Sequence, residues 1–240
     1  MKNYAYVTLT SNDLFVPGAV AVIKSIRMTK TKYPICCMVS EEVSEDNLFK
    51  LEQAGAKVVV VPKIHSSTSG EDGDRFEIGK NWLTFTKLNV FNMTEYDKIV
   101  YVDADCIVLQ GIDEMFDFNT PCGYLLAHTG ELEAGVLVLE PSSETFEELL
   151  LFKDKENWVN HDQTLLDWYF RKHTGKFNRL GNEYHFCHKL YHNEDPNLIR
   201  KKKVKIIEFN GYKPWIPDRW KDGEDFYYKM WKYAYNYESK

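Results

Sequence analysis

The chain has 240 residues, 44% hydrophobic and 28% charged, with 30 Lys+Arg against 36 Asp+Glu for a net charge of −6. That composition closes a core and excludes a disordered, collagen-like or disulfide-stapled chain. A mildly acidic balance speaks against nucleic acid as a partner, and no window reaches the run of about 20 apolar residues that a membrane span requires.

Residues 4–10 are aromatic and β-branched and read as a strand. No charged n-region with an apolar h-region precedes them, so no secretory signal is expected. The five cysteines include no CxxC pair, which argues against a zinc knot or a disulfide framework and for a reducing, cytoplasmic setting. Pro17-Gly18 opens a segment with Val20, Ile23 and Ile26 at helical spacing. Residues 34–39 read as a second strand. Ser44 caps a helix carrying Leu48 and Leu51, which stops at Gly55. Residues 58–61 form a continuous apolar strand closed by Pro62. Apolar strands separated by helices predict a parallel sheet covered on both faces and joined by right-handed crossovers. The first half therefore reads as a Rossmann-like α/β unit.

Residues 64–81 are a long polar loop, of the kind that is functional or mobile. A helix over 83–91 puts Phe85, Leu88 and Phe91 on one face. A strand at 98–102 follows and runs into Asp103-Ala104-Asp105. Further strands are expected at 124–127, 136–139 and 204–207, and helices at 142–151 and 162–170. The basic run at 200–203 reads as a solvated turn. Residues 225–237 are crowded with aromatic side chains and read as a helix or strap packed on the body, in preference to a sugar-stacking platform. No internal repeat and no low-complexity linker divides the chain.

The strongest chemical signal is the apolar strand that delivers Asp103 and Asp105 to its C-terminal end, where ligands sit in open α/β sheets. Alternate residues of an extended chain project to one side, so an extended backbone there lets both carboxylates reach one hard divalent cation. Carboxylate oxygens suit Mn²⁺ or Mg²⁺, the more so when a substrate phosphate completes the shell. A lone D-x-D is common, and a pair of solvated turn acids fits it as well. Phosphatases of the haloacid dehalogenase type also carry D-x-D after an apolar strand. They place it near the chain start and follow it with a small Gly-Thr type turn, whereas here it begins at residue 103 and is followed by Cys106-Ile107-Val108-Leu109.

Taken with their context, Thr84-Phe85-Thr86-Lys87-Leu88, residues 97–109 and Ile112-Asp113-Glu114-Met115-Phe116 resemble glycosyltransferase family 8, in particular its glycogenin branch. Other landmarks fall in the family's order. Residues 6–13 resemble the opening strand, and Gly135-Val136-Leu137-Val138 with Glu140-Pro141-Ser142 resembles the central strand and turn. His161-Asp162-Gln163 resembles the G-D-Q segment, and residues 208–215 resemble the terminal H-F-x-G…K-P-W signature. The resemblance implies an α/β GT-A fold, a Rossmann-like mixed central sheet with helices on both faces. It implies one domain over 1–240, with a nucleotide-binding half at 1–110 and an acceptor and sugar half at 111–240. The implied activity is metal-dependent, retaining transfer of a hexose, glucose or galactose, from a UDP-sugar to a hydroxyl of a glycan or protein acceptor. Mn²⁺ or Mg²⁺ would assist, and a homodimer is left open.

Carried over residue by residue, the resemblance assigns Leu9, Thr10, Ser11 and Asn12 to the nucleoside pocket, with Phe15 either against uracil or in the core. Lys87 and Arg75 approach the donor. Asp103 and Asp105 hold metal, with Ala104 between them in the donor site. Gly211 and Lys213 form a diphosphate clamp, since glycine lets the backbone approach phosphate and lysine adds a point charge, and Trp215 packs beneath. Asp162 and Gln163 form the catalytic pair at the sugar, hydrogen-bonding its hydroxyls or steadying an oxocarbenium-like centre. Three departures stand out. Glu208 occupies the place of the relatives' third metal ligand, a histidine, and is expected to coordinate in its stead. Leu132-Glu133-Ala134-Gly135 replaces F-N-S-G, which puts Glu133 and Ala134 at the donor sugar. Only Tyr212 separates Gly211 from Lys213, so the phosphate loop is one residue shorter. These departures support a second reading, a non-catalytic nucleotide-sugar- or carbohydrate-binding protein derived from such a transferase.

Overall fold

The computed structural model describes residues 2–65, 81–156, 158, 161–187, 197–211, 213–216 and 226–238. The first half alternates as its periodicity predicts: β1 (Tyr4–Thr10), α1 (Val16–Met28), β2 (Ile35–Val39), α2 (Glu45–Gln53) and β3 (Lys57–Val60). Pro17 lies in the first turn of α1, where its missing N–H costs no helical hydrogen bond. From there α1 buries Val16, Ala19, Val22, Ile23 and Ile26 against the sheet. Ser44 precedes α2, but its side chain makes no capping bond; its backbone N–H is bound by Asp13 instead. β3 was expected to be covered on both faces. It is an edge strand with Val60 exposed.

The large sheet runs β3-β2-β1-β4-β7-β6-β8, with β4 at Lys98–Val102, β6 at Cys122–Leu125, β7 at Leu132–Leu139 and β8 at Asn178–Arg179. Strands β3, β2, β1 and β4 are mutually parallel; β7 is antiparallel to β4, with Val102 opposite Val136. β7 begins before the expected Val136 because Leu132 to Gly135 are buried as well, on a strand covered on both faces. A small second sheet, β5-β10-β9, consists of β5 (Cys106–Val108), β10 (Ile206–Glu208) and β9 (Phe186–Cys187). The chain passes from the large sheet to the small one at the turn 103–105, between β4 and β5, and again between β8 and β9.

Residues Asn81–Asn92 are helical as expected, but the helix is of 3₁₀ type. Phe85 to Phe91 are all buried, against α3 (Ser143–Phe152) and α4 (His161–Asp167) as well as the sheet. A segment without a polar face suits such all-round burial. Ser142 caps α3, accepting from Thr145 N at 3.3 Å. α4 runs on into a π-helical stretch, Trp168–His173. A short α5 (Asn197–Lys201) leads to β10. The aromatic C-terminal segment forms α6 (Phe226–Tyr235), which lays Tyr227, Trp231 and Ala234 on α1 and the small sheet. It is therefore a packed helix, further tied by Lys24 Nζ donating to Tyr235 O at 2.9 Å. All five cysteines are buried and free. No described helix is long and apolar enough to cross a membrane.

Candidate active site

β1 and β4 are parallel neighbours, so their C-terminal ends meet at one edge of the sheet. There β1 runs into Leu9-Thr10-Ser11-Asn12, a turn fixed by its own polar atoms. Thr10 Oγ1 donates to Asn12 O (2.9 Å), Ser40 Oγ donates to Ser11 O (2.6 Å), and Asn12 Oδ1 accepts from Phe15 N (3.3 Å). Phe15 meets Trp215 edge-on, with ring centroids 5.8 Å apart. Trp215 also packs on Gly18, where a Cβ would stand 2.6 Å from the indole and 2.4 Å from Ala104 O. The Ala104 carbonyl is thus pressed against α1 at Gly18.

The D-x-D backbone does not stay extended. Cys106 N donates to Asp103 O (3.1 Å), closing a turn, because the chain must swing into β5. The two carboxylates still act on one crevice, each held by a lysine. Lys87 Nζ lies 3.0 Å from Asp103 Oδ2 and 3.0 Å from Asp162 Oδ2, and Lys213 Nζ lies 2.5 Å from Asp105 Oδ2. Tyr101 OH donates to Asp103 Oδ1 at 2.6 Å. Burial, opposed by Lys87, pushes Asp103 up to about 6. Lys87 is buried rather than spread on a helix surface. Burial alone would lower its pKa, but Asp103 and Asp162 outweigh that and hold it above the usual lysine value. Lys87 Nζ also donates to Ala134 O at 3.2 Å, so Ala134 contributes a carbonyl.

Asp162 is buried in the first turn of α4, with Gln163 half-buried beside it. His161, just before it, has φ 50°, a left-handed conformation uncommon outside glycine. Gly211 is exposed at φ 89°, and Lys213 also donates to Phe209 O at 3.1 Å. Arg75, Tyr212 and residues 66–80 of the polar loop lie outside the described residues.

Glu208 ends β10 opposite Cys106, and Phe209 N donates to Asp105 O at 2.8 Å, which sets Glu208 beside the D-x-D. Gly135, on β7, sits under three carboxylates. A Cβ there would lie 3.6 Å from Asp103 Oδ2, 3.8 Å from Glu133 Oε1 and 3.8 Å from Glu208 Cδ. Burial first, then Asp105, pushes Glu208 up to about 8. Glu133 is likewise pushed up to about 8 by burial and by Glu208. His185 Nε2 lies 2.6 Å from Glu208 Oε2, and burial pushes its pKa down. The imidazole stacks on Tyr124, centroids 4.5 Å apart. The ligand atoms of Glu133, His185 and Glu208 all lie within 4.8 Å of one another. The sequence reading missed His185 and Tyr101. A lone histidine between Tyr184 and Phe186 carries no pattern, and its partner Glu208 is distant in sequence.

The donor set of Asp103, Asp105 and Glu208 is all hard oxygen, the donor chemistry that suits Mg²⁺ or Mn²⁺, although among the described residues the carboxylate-containing group with ligand atoms already close enough to share one ion is Glu133, His185 and Glu208. Lys87 and Lys213 supply positive charge to the two aspartates.

A sequence profile for glycosyl transferase family 8 matches residues 6–135. Inositol phosphorylceramide glucuronosyltransferase 1 of Arabidopsis thaliana is 35% identical over 167 residues, covering 69% of this chain and 30% of its own length. Glycogenin-1 of Caenorhabditis elegans is 33% identical over 172 residues, 69% of this chain and 39% of its own. Uncharacterized protein R707 of Acanthamoeba polyphaga mimivirus is 25% identical over 271 residues, 98% of this chain and 95% of its own. The chain thus spans about a third of the glucuronosyltransferase and glycogenin relatives and nearly all of the viral one. Among solved structures, galactosyltransferase LgtC with donor and acceptor sugar analogs matches at TM-score 0.67 and 16% identity, covering 98% of this chain and 96% of that one. Glycosyltransferase GlyE of Streptococcus pneumoniae TIGR4 matches at TM-score 0.70 and 18% identity, covering 99% and 61%. The fold is GT-A.

Proposed function

The chain belongs to glycosyl transferase family 8, and from that premise we propose that it is a metal-dependent, retaining hexosyltransferase. It takes glucose or galactose from a UDP-sugar and passes it to a hydroxyl of a glycan or protein acceptor. The observation that carries this reading is the placing of Asp103 and Glu208 over Gly135, with Asp105 on the same turn as Asp103 and Lys87, Lys213 and Asp162 paired to or beside them.

The nucleoside lies along Leu9–Asn12, at the end of β1. Lys213 leaves Asp105 for the diphosphate, while the backbone at Gly211 approaches it. Asp103, Asp105 and Glu208 would hold the divalent cation, Mn²⁺ or Mg²⁺, which when bound would supply Lewis-acid stabilisation of the leaving UDP. Lys87 holds Asp162 in place, so that Asp162 accepts from donor hydroxyls and stabilises positive charge at the anomeric carbon. Gln163 and Glu133 contact the same sugar. The acceptor hydroxyl attacks from the face that UDP leaves, and the departing diphosphate oxygen takes its proton, which retains the anomeric configuration. The five buried, free thiols support a reducing, cytoplasmic setting.

The test is release of free UDP from UDP-glucose, UDP-galactose and UDP-glucuronate, with Mn²⁺ and with chelator, and the anomeric configuration of the product by NMR. Cation-dependent release from a hexose donor with retention is expected. Binding without turnover would favour the non-catalytic reading, and turnover of UDP-glucuronate alone would replace the hexose.

A further inference from the structure

The geometry points to a second cation centre, formed by Glu133, His185 and Glu208, that takes a transition-metal ion such as Zn²⁺ or Co²⁺ in the absence of nucleotide. Three elements deliver it: Glu133 from β7, His185 from the residue before β9, and Glu208 from the end of β10. Their ligand atoms all lie within 4.8 Å of one another, and all three residues are buried. Donors about 2.0–2.2 Å from one ion stand roughly 3–3.6 Å apart, so side-chain shifts of about an ångström close the set.

The second observation concerns Glu133. It is 8% exposed, and among the described residues its side chain makes no hydrogen bond or ion pair. Its Oε1 faces the crevice above Gly135, free of any protein donor there among the described residues. The imidazole is already positioned: it stacks on Tyr124 with an interplanar angle of 20°, and Tyr124 is itself the cross-strand partner of Glu133. Its Nε2 points at Glu208 Oε2 from 2.6 Å.

Chemistry separates this centre from the D-x-D. Asp103 and Asp105 offer only hard oxygens, which suit a cation completed by substrate phosphate. One imidazole nitrogen with two carboxylate oxygens suits Zn²⁺ or Co²⁺ and leaves a coordination position open. The two sites share Glu208 but no other ligand, and the second needs neither UDP nor glycosyl transfer.

Equilibrium dialysis of the nucleotide-free protein against Co²⁺, read also by visible absorption, tests the centre. The Asp103→Asn/Asp105→Asn variant serves as the background, because the D-x-D would otherwise also take Co²⁺; there about one equivalent is expected, with visible bands of a nitrogen- and oxygen-ligated ion. Glu133→Gln and His185→Gln should each weaken binding about tenfold or more. Asp103→Asn with Asp105→Asn should leave it intact. Thermal melts check folding, and the isosteric Glu133→Gln carries the test if His185→Gln does not fold. No stoichiometric Co²⁺ binding, unchanged affinity in Glu133→Gln, or loss of binding in the Asp103/Asp105 double variant would each overturn the proposal. Co²⁺ binding with no Mn²⁺-dependent UDP binding would count against the transferase site alone.

Discussion

A hydrogen atom is all that Gly18 can carry, because a Cβ would sit 2.4 Å from Ala104 O and 2.6 Å from Trp215. Helix propensity favours alanine over glycine by about 1 kcal/mol, but forcing apart a backbone carbonyl and an indole costs about 1–3 kcal/mol. Gly18→Ala should therefore lower the melting temperature; a higher one would show that the D-x-D turn does not rest on α1. Lys87 answers two buried carboxylates. Lys87→Met should cost about 3–5 kcal/mol in urea unfolding, the usual result of leaving a buried charge unpaired, and an unchanged midpoint would contradict the ion-pair account. Glu133 and Glu208 are pushed from 4.5 up to about 8, so the folded state keeps protons that the unfolded chain gives up. Their contribution is fully present below the unfolded pKa and is lost as pH rises through the folded one. The cation-free melting temperature should fall between pH 5 and about 8, and saturating divalent cation should flatten that fall. A rise with pH over the same window would contradict the burial of these groups. Asp103, Asp162, Glu208 and Lys213 were legible because each sits in a motif. Ala134 was named only through the family resemblance, and the contact it makes, its carbonyl accepting from Lys87, leaves no side-chain signature; His185 becomes visible only when β9 and β10 are side by side.

The elements that periodicity predicts well are those long enough to have a period. β1, α1, β2 and α2 follow their apolar spacing closely. β5, β8 and β9 have two or three residues each, too few for alternation to register. Without β5, nothing in the sequence says that the chain must turn at Asp103–Asp105, which is why an extended D-x-D was expected there. α6 shows tertiary packing choosing among aromatics. Trp231 is 5% exposed, whereas Tyr233 is 67% exposed. Trp231→Ala should cost about 3–5 kcal/mol, and Tyr233→Ala should stay within about 0.5 kcal/mol. Equal losses, measured by chemical denaturation, would mean that α6 is not docked on α1.

Across the whole molecule, carboxylates from the large sheet, the small sheet and the turn between β4 and β5 converge over Gly135. The fold class was legible because parallel βα units have a strong pattern; the convergence of Asp103, Glu133 and Glu208 was legible only through the family resemblance, since no local pattern joins residues that follow β4 or lie on β7 and β10. Lys213 offers one check on how the donor lies: Lys213→Ala should weaken UDP far more than uridine, and equal losses would move the lysine away from the diphosphate. The central claim is that Asp103, Asp105 and Glu208 form the metal and nucleotide site. Calorimetric titration of UDP into the protein, with Mn²⁺ and then with EDTA, tests it most directly. The account predicts that chelation weakens UDP binding about tenfold or more, as expected if these carboxylates hold a cation that the diphosphate needs. The same affinity in Mn²⁺ and in EDTA would contradict it.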